Sequence, residues 1–233
     1  MTLRLIEYTS LSDDDIASIK TQDNKVHLFN NLVCPFGHRA LWTAAEVDVP
    51  FEMINVDLVD MPESYVTHFN RYHTVPCLVD NGYTVYESAI VAQFLDAKYN
   101  AGRLYNRDDP ERAALAQLAV VKFVASPLYA LLHNHDESKM NSKTTSANRW
   151  HAAPYRSKGP YLLGDQLSSA ELNIVTFLFR FKYILQHYRN FEILDGVPLL
   201  TAAMEAATAR PAFQNTAKDP DFYIRGFAHH ANE

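Results

Sequence analysis

Residues 25–46 read KVHLFNNLVCPFGHRALWTAAE. Lys25 to Asn30 has the composition of a short strand, and from Cys34-Pro35 the apolar residues recur at helical spacing through Leu41, Trp42 and Ala45 to Glu46. Proline suits a first helical position, because its missing N–H is one that the helix leaves unpaired anyway. The cysteine before it then stands at a helix N-terminus, where unpaired N–H groups and the helix dipole favour the thiolate. Cys34 is therefore expected to be a nucleophile at neutral pH. Gly37 occupies the place where a C-x-x-C motif has its second cysteine, so redox chemistry at Cys34 needs a second thiol from solution.

Working outward, Phe51 to Val56 (FEMINV) alternates as a second strand and Tyr65 to Tyr72 reads as a short helix. Pro76 to Val79 and Thr84 to Tyr86 flank Asp80-Asn81-Gly82, a strong hairpin signal. From Ser88 the run AIVAQFLDAKY is helical, with Ile90, Val91, Phe94 and Leu95 on one stripe. Leu3 to Tyr8 offers an additional edge strand. After Asp109 the pattern changes to long helical periods over 111–134 (interrupted near Pro127), 146–155, 170–188 and 198–209, with a capping-box spacing at Ser168 and Glu171. The expected organisation is an extension at 1–24, an α/β domain at 25–100, a linker at 101–109 and an all-α domain at 110–233.

The chain has 233 residues, 48% hydrophobic, with 21 Lys and Arg against 27 Asp and Glu, a net charge of −6. This composition is that of a folded globular protein. The absence of a dense cationic stretch argues against nucleic acid as a partner. Two cysteines, Cys34 and Cys77, are too few for a disulfide framework, and the amino terminus lacks a signal-peptide pattern, so the expectation is a cytoplasmic protein. Ala113 to Leu132 is the one candidate membrane span; Lys122 within it would cost about 2.5–3.5 kcal/mol on insertion, so a buried helix is the better reading.

Two more junctions carry chemistry. In Thr74-Val75-Pro76 a proline enters a strand, and this arrangement lets Val75 pair by its backbone with an extended peptide. In Tyr86-Glu87-Ser88-Ala89 a strand ends in a helix start, where Ser88 and the helix N–H groups suit a carboxylate and Glu87 suits an ammonium. Taken alone, Ser88 is more simply a helix cap.

The ordered set Cys34-Pro35-Phe36-x-x-Arg39, Val75-Pro76, Glu87-Ser88, Pro127, Leu167-Ser168-x-Ala170-Glu171 and the segment Arg180 to Phe191 resembles the glutathione transferase superfamily, specifically its omega-like, cysteine-type branch. The resemblance covers most of the chain. It implies a thioredoxin-like N-terminal domain, an all-α C-terminal domain and a homodimer. It further implies that Cys34 forms a mixed disulfide with glutathione, that Phe36, Val75 and Pro76 line its site, and that Glu87 and Ser88 hold its γ-glutamyl end. A lysine common in that branch is replaced by Met61 before Pro62-Glu63, which leaves Arg71 or His73, or a different thiol, to account for the glycyl end.

A cysteine at this place favours thiol transfer or dehydroascorbate-type reduction over conjugation, with glutathione as co-substrate and no metal. The competing readings are a conventional conjugating transferase, a non-catalytic binding module such as those joined to translation factors or RNA polymerase, and a soluble relative of chloride intracellular channel proteins. Phe36, Phe123, Tyr129 and Tyr183 are candidates for the acceptor wall, each with interdomain packing as its alternative. His38 is expected on a solvent-exposed face and Cys77 in buried packing. His133, His135, His229, His230 and the acidic run Asp13 to Asp15 lack metal-ligand spacing.

Overall fold

The computed structural model describes residues 4–122, 126–135 and 159–232. Its contacts divide into two units, Met1–Gly102 with Pro211–Ala217, and Arg103–Arg210 with Lys218–Glu233.

The first unit is built on a five-stranded mixed sheet. Its strands are β1 (Leu5–Glu7), β2 (Val26–Asn30), β3 (Glu52–Asn55), β4 (Cys77–Asp80) and β5 (Tyr83–Tyr86), in the order β1-β3-β2-β4-β5. β1 and β2 run parallel to β3, whereas β4 pairs antiparallel with both β2 and β5, so that Phe29 lies between Ile54 and Cys77. All five residues of β2 are buried, as befits a central strand covered on both faces.

Alternation along the strands divides the core in two. Leu28, Met53 and Leu78 face α2 (Pro35–Glu46) and α4 (Ser88–Tyr99), packing with Leu41, Ala44, Val91 and Leu95. Phe29, Ile54 and Val79 face the other way, onto Ile16 of α1 (Asp13–Ile19), Tyr65 of α3 (Glu63–His68), Tyr8 and Phe69.

The hairpin signal is realised as a two-residue turn, with Asn81 and Gly82 at φ 51° and 80°. A Cβ on Gly82 would lie 2.7 Å from the Thr21 carbonyl oxygen, so glycine is required there twice over. The acidic run at 13–15 starts α1: Ser12 and Asp15 form a capping box, and hydrogen bonds from Ser12 hold the Asp15 carboxyl below its usual range.

The structure differs from expectation in three local respects. The short helix after β3 begins at Glu63 and ends at His68, two and four residues earlier than its apolar pattern suggests, because Pro62 supplies the start. On α4 the buried stripe is Val91, Ala92 and Leu95, while Ile90 is 56% exposed. A short helix near the C-terminal end, Pro211–Thr216, belongs to this sheet-based unit.

The second unit is helical: α5 (Pro110–Lys122), α6 (Ser126–Leu132), α7 (Ser169–Arg189), α8 (Pro198–Thr208), then α9 (Pro211–Thr216, packed with the first unit), α10 (Pro220–Gly226) and α11 (Ala228–Asn232). α7 is the hub, packed against α5, α6, α8 and α10, and Leu172, Val175, Phe177, Leu178, Phe181 and Leu185 are all buried. Its N-terminus is closed by the capping box of Ser168 and Glu171. The buried Glu171 carboxylate accepts from Ser168 N and Oγ at 2.9 and 2.8 Å and from Leu162 N at 2.8 Å. It therefore fixes the incoming loop as well as the helix. The helix ends at Asn190 in the left-handed region. The expected helix over 146–155 and the side chain of Phe123 lie outside the described residues. Among the described residues no helix is long and apolar enough to cross a membrane.

Candidate functional site

Cys34 is the N-cap of α2, as the Cys-Pro reading requires. Its N–H donates to the Asn31 carbonyl at 3.1 Å, and its Sγ accepts from Gly37 N at 3.3 Å. An N–H of the first helical turn thus points at the sulfur, which is half-buried and not in a disulfide.

The loop that presents it is fixed by two asparagines. Asn30 Nδ2 donates to the Gly37 carbonyl and Asn30 Oδ1 accepts from Asn31 N; Asn31 in turn ties Val33 N and the Val56 carbonyl. The Asn30 side chain lies so close to Gly37 that a Cβ there would meet its Oδ1 at 1.8 Å. A side chain at position 37 therefore requires the Asn30 amide to move, and that amide is tied by its bonds to the Gly37 carbonyl and Asn31 N.

Cys77 is fully buried, its Sγ 3.7 Å from the Phe69 carbonyl oxygen, and burial pushes its thiol pKa up to about 12. It is packing, in keeping with the sequence reading.

The Val75-Pro76 peptide bond is cis. The preceding Thr74 carbonyl is held by two donors, Tyr65 Oη at 2.7 Å and Asn70 Nδ2 at 2.9 Å. Burial raises the Tyr65 phenol well above its ordinary pKa, so it stays a donor. Neither Tyr65 nor Asn70 stood out in the sequence, where only the proline marked this loop.

At the β5–α4 junction Glu87 is exposed and held at φ 70°, ψ 110°, a conformation rare for a side-chain-bearing residue, and Ser88 opens α4. Arg39 of α2 reaches this junction: its Nη1 donates to Ser88 Oγ at 2.7 Å, and its guanidinium lies 5.7 Å from the ring centre of Phe36. Arg39 stands in the Cys-Pro-Phe-x-x-Arg motif without a role that the sequence alone defines, its spacing from Cys34 along α2 being the one signal available. A buried cation, a hydroxyl and a helix N-terminus together suit an anionic group.

Arg71 donates to Tyr72 Oη at 3.2 Å, and the Tyr72 ring packs 5.3 Å from Tyr86. Met61 instead joins Cys34 in fringing the apolar cluster that contains Val75. His38 corrects expectation: it is 1% exposed, with its Nε2 3.1 Å from Thr216 Oγ1, because α9 covers the face that looked solvated.

The acceptor-wall candidates are placed as follows. Phe36 is 40% exposed on the first turn of α2. Tyr129 packs edge-on against Phe181 at 5.0 Å and near Phe227, and Tyr183 packs edge-on against Phe179 at 5.4 Å. Each tyrosine is part of the helical unit's aromatic packing. Among the described residues no group of three or more His, Cys, Asp or Glu is arranged as metal ligands.

Residues 33–98 match the family profile described as glutathione S-transferase, N-terminal domain, and residues 117–216 match glutathione S-transferase, C-terminal domain. Similar proteins include the chloroplastic glutathione S-transferase DHAR3 of Arabidopsis thaliana, 27% identical over 83% of this chain and 72% of the relative. The probable cytosolic glutathione S-transferase DHAR1 of Oryza sativa is 24% identical over 85% of this chain and 91% of the relative. Among solved structures, Leishmania TDR1, described as a trimeric glutathione transferase, superposes with a TM-score of 0.80 at 25% identity, over 88% of this chain but only 47% of its own. Glutathione transferase Omega 3C of Trametes versicolor superposes with a TM-score of 0.78 at 20% identity, over 94% and 95% of the two chains, a likeness of fold.

Proposed function

The chain belongs to the glutathione S-transferase family, and we propose that it is a glutathione-dependent thiol transferase or reductase of omega-like type in which Cys34 is the nucleophile. The observation that carries this reading is the Cys34 sulfur at the head of α2 with the Gly37 N–H directed onto it, an arrangement that stabilises a thiolate. A tyrosine or serine at such a place would only hydrogen-bond a bound thiolate; a cysteine attacks.

In the proposed reaction the Cys34 thiolate attacks the glutathionyl sulfur of a mixed disulfide. A Cys34–glutathione disulfide forms, and the acceptor leaves as a thiolate that takes a proton from water. A second glutathione thiolate then attacks the glutathionyl sulfur on Cys34, producing oxidised glutathione and restoring the cysteine. With a dehydroascorbate-type acceptor, two glutathione molecules are oxidised to one disulfide as the acceptor gains two electrons and two protons. Glycine in place of a second cysteine at position 37 supports the use of an external thiol for the second step.

For the peptide, the proposal assigns backbone pairing to Val75, an apolar wall to Phe36 and Pro76, and the γ-glutamyl end to Glu87 and Ser88. The firm hold on Thr74 supports the first assignment, because it fixes the backbone entering Val75. The Arg39–Ser88 bond supports the last. The proposal further includes a homodimer and a cytoplasmic location.

Incubation with oxidised glutathione, followed by intact mass measurement and peptide mapping, tests the reading. One glutathionyl adduct on Cys34, and loss of both adduct and disulfide-exchange activity in Cys34→Ser, are expected. A wild-type protein that forms no adduct and does not exchange a small mixed disulfide defeats the proposal. Conjugation of a halogenated aromatic that survives Cys34→Ala would favour a conventional transferase instead.

A further inference from the structure

The six residues of α9, Pro211-Ala212-Phe213-Gln214-Asn215-Thr216, show no extended helical period, and the chain on either side of them belongs to the helical unit. They nevertheless pack on α2, more than a hundred residues away in sequence from the rest of their own unit. The contact is specific. Phe213 is 1% exposed, its ring centre 4.9 Å from that of His38 and 5.0 Å from that of Trp42, which it meets edge to face. Thr216 Oγ1 lies 3.1 Å from His38 Nε2.

Thr216 Oγ1 also lies 2.9 and 3.0 Å from the carbonyl oxygens of Ala212 and Phe213. The same oxygen is therefore tied both to its own helix and to the His38 ring, so it fixes the ring against α9 whichever of the two atoms donates. His38 is also the residue whose N–H bonds the Cys34 carbonyl at 3.0 Å, and it directly follows Gly37, whose N–H bonds the Cys34 sulfur at 3.3 Å. The ring that α9 grips thus belongs to the turn that presents the nucleophile.

We infer that Thr216 and Phe213 are positioning residues for Cys34, acting through His38 to hold the first turn of α2 so that its N–H groups converge on the sulfur. The inference rests on the thiolate reading of Cys34. Neither residue touches the reacting atoms; they set how rigidly the helix N-terminus is aimed. Thr216→Val keeps the shape of the side chain and removes the hydroxyl that bonds His38 Nε2. Thr216→Ser keeps the hydroxyl.

The experiment uses the 233-residue protein and follows the rate of iodoacetamide alkylation at Cys34 from pH 5 to 10 by mass spectrometry, with thermal melts of every variant. Thr216→Val is expected to raise the midpoint of the profile by about half a unit or more, hence to slow alkylation at pH 6.5 by about threefold. Thr216→Ser is expected to reproduce the wild-type profile. A folded Thr216→Val protein with the wild-type profile overturns the inference. Should Thr216→Val not fold, Phe213→Leu is expected to give the same upward shift, and a wild-type profile in that variant overturns the inference equally. A wild-type midpoint near the ordinary thiol value of about 8.5 defeats the thiolate reading itself, whatever the variants do.

Discussion

Arg39 Nη1 donates to Ser88 Oγ across 2.7 Å, and both residues are buried. A hydroxyl that accepts from a guanidinium is polarised to donate its own hydrogen, which suits a carboxylate at the N-terminus of α4. Arg39→Met should therefore weaken binding of the thiol peptide more than turnover. A charge-assisted hydrogen bond contributes about 1.5–3 kcal/mol, so KM for glutathione should rise about 10- to 100-fold with kcat within about threefold. With a peptide whose γ-glutamyl α-carboxylate is amidated, wild type and variant should differ by less than about threefold. Equal losses with both peptides would show that Arg39 supports only the fold.

Gly37 and Asn30 are sterically coupled, since a Cβ at 37 would overlap Asn30 Oδ1. Gly37→Ala should destabilise the protein by about 1–3 kcal/mol or more through overpacking. In a double-mutant cycle with Asn30→Ala, the pair should be less destabilised than the sum of the single changes by about 1 kcal/mol or more. Denaturant melts of the four proteins give the coupling directly; additivity would mean that Asn30 simply swings aside.

Tyr65→Phe removes one of the two donors to the Thr74 carbonyl and leaves Asn70 in place. The expected cost is about 1–2 kcal/mol of stability with a several-fold rise in KM for glutathione, because the backbone at Val75 is held less firmly. Asn70→Ala added to Tyr65→Phe should raise KM further, while the rate of Cys34 alkylation stays as in wild type. An alkylation rate that fell with KM would place the effect at the sulfur instead.

Cys77 is buried as a neutral thiol with its pKa raised to about 12. It should resist iodoacetamide in the native protein at pH 8, where Cys34 reacts, and be labelled only after unfolding in urea; peptide mapping distinguishes the two. The stability consequence has a definite sign. The buried thiol's contribution is complete below the unfolded thiol pKa of about 8.5 and is lost as pH rises toward 12, because the unfolded chain ionises first. Cys77→Ala should remove that alkaline decline.

The fold was legible where local pattern and packing agree. Val26 to Asn30, the Asn81-Gly82 turn and the start of α2 at Pro35 each have a signal within a few residues. The site was legible at Cys34, where one proline orients the sulfur relative to the helix. What escaped depended on partners distant in sequence. His38 reads as a polar surface residue until Thr216, 178 residues later, supplies a hydrogen-bond partner. Arg39 gains its meaning from Ser88, 49 residues on, and no periodicity links the two. Ile90 continues the apolar period of α4 but misses the buried face, since an apolar stripe wider than the contact leaves its margin in solvent.

Glu171 provides a pH test of the helical unit. Burial raises its pKa, against the pull of the Leu162 and Ser168 donors. The native state therefore binds a proton at Glu171 more tightly than the unfolded chain does, and the resulting stabilisation is complete below the unfolded carboxyl value of about 4.3. It is lost as pH climbs through the raised native value, at up to about 1.4 kcal/mol per pH unit. Glu171→Gln lacks this titration, so the stability difference between wild type and Glu171→Gln should fall from pH 4.5 upward and level off above the native pKa. Glu171→Ala, which strands the N–H groups of Leu162 and Ser168 in the interior, should cost about 3–5 kcal/mol at every pH where the protein folds. Urea melts of the three proteins between pH 4.5 and 8 check both outcomes. A wild-type advantage over Glu171→Gln that grew with pH would mean that the three donors outweigh burial and hold the carboxylate ionised.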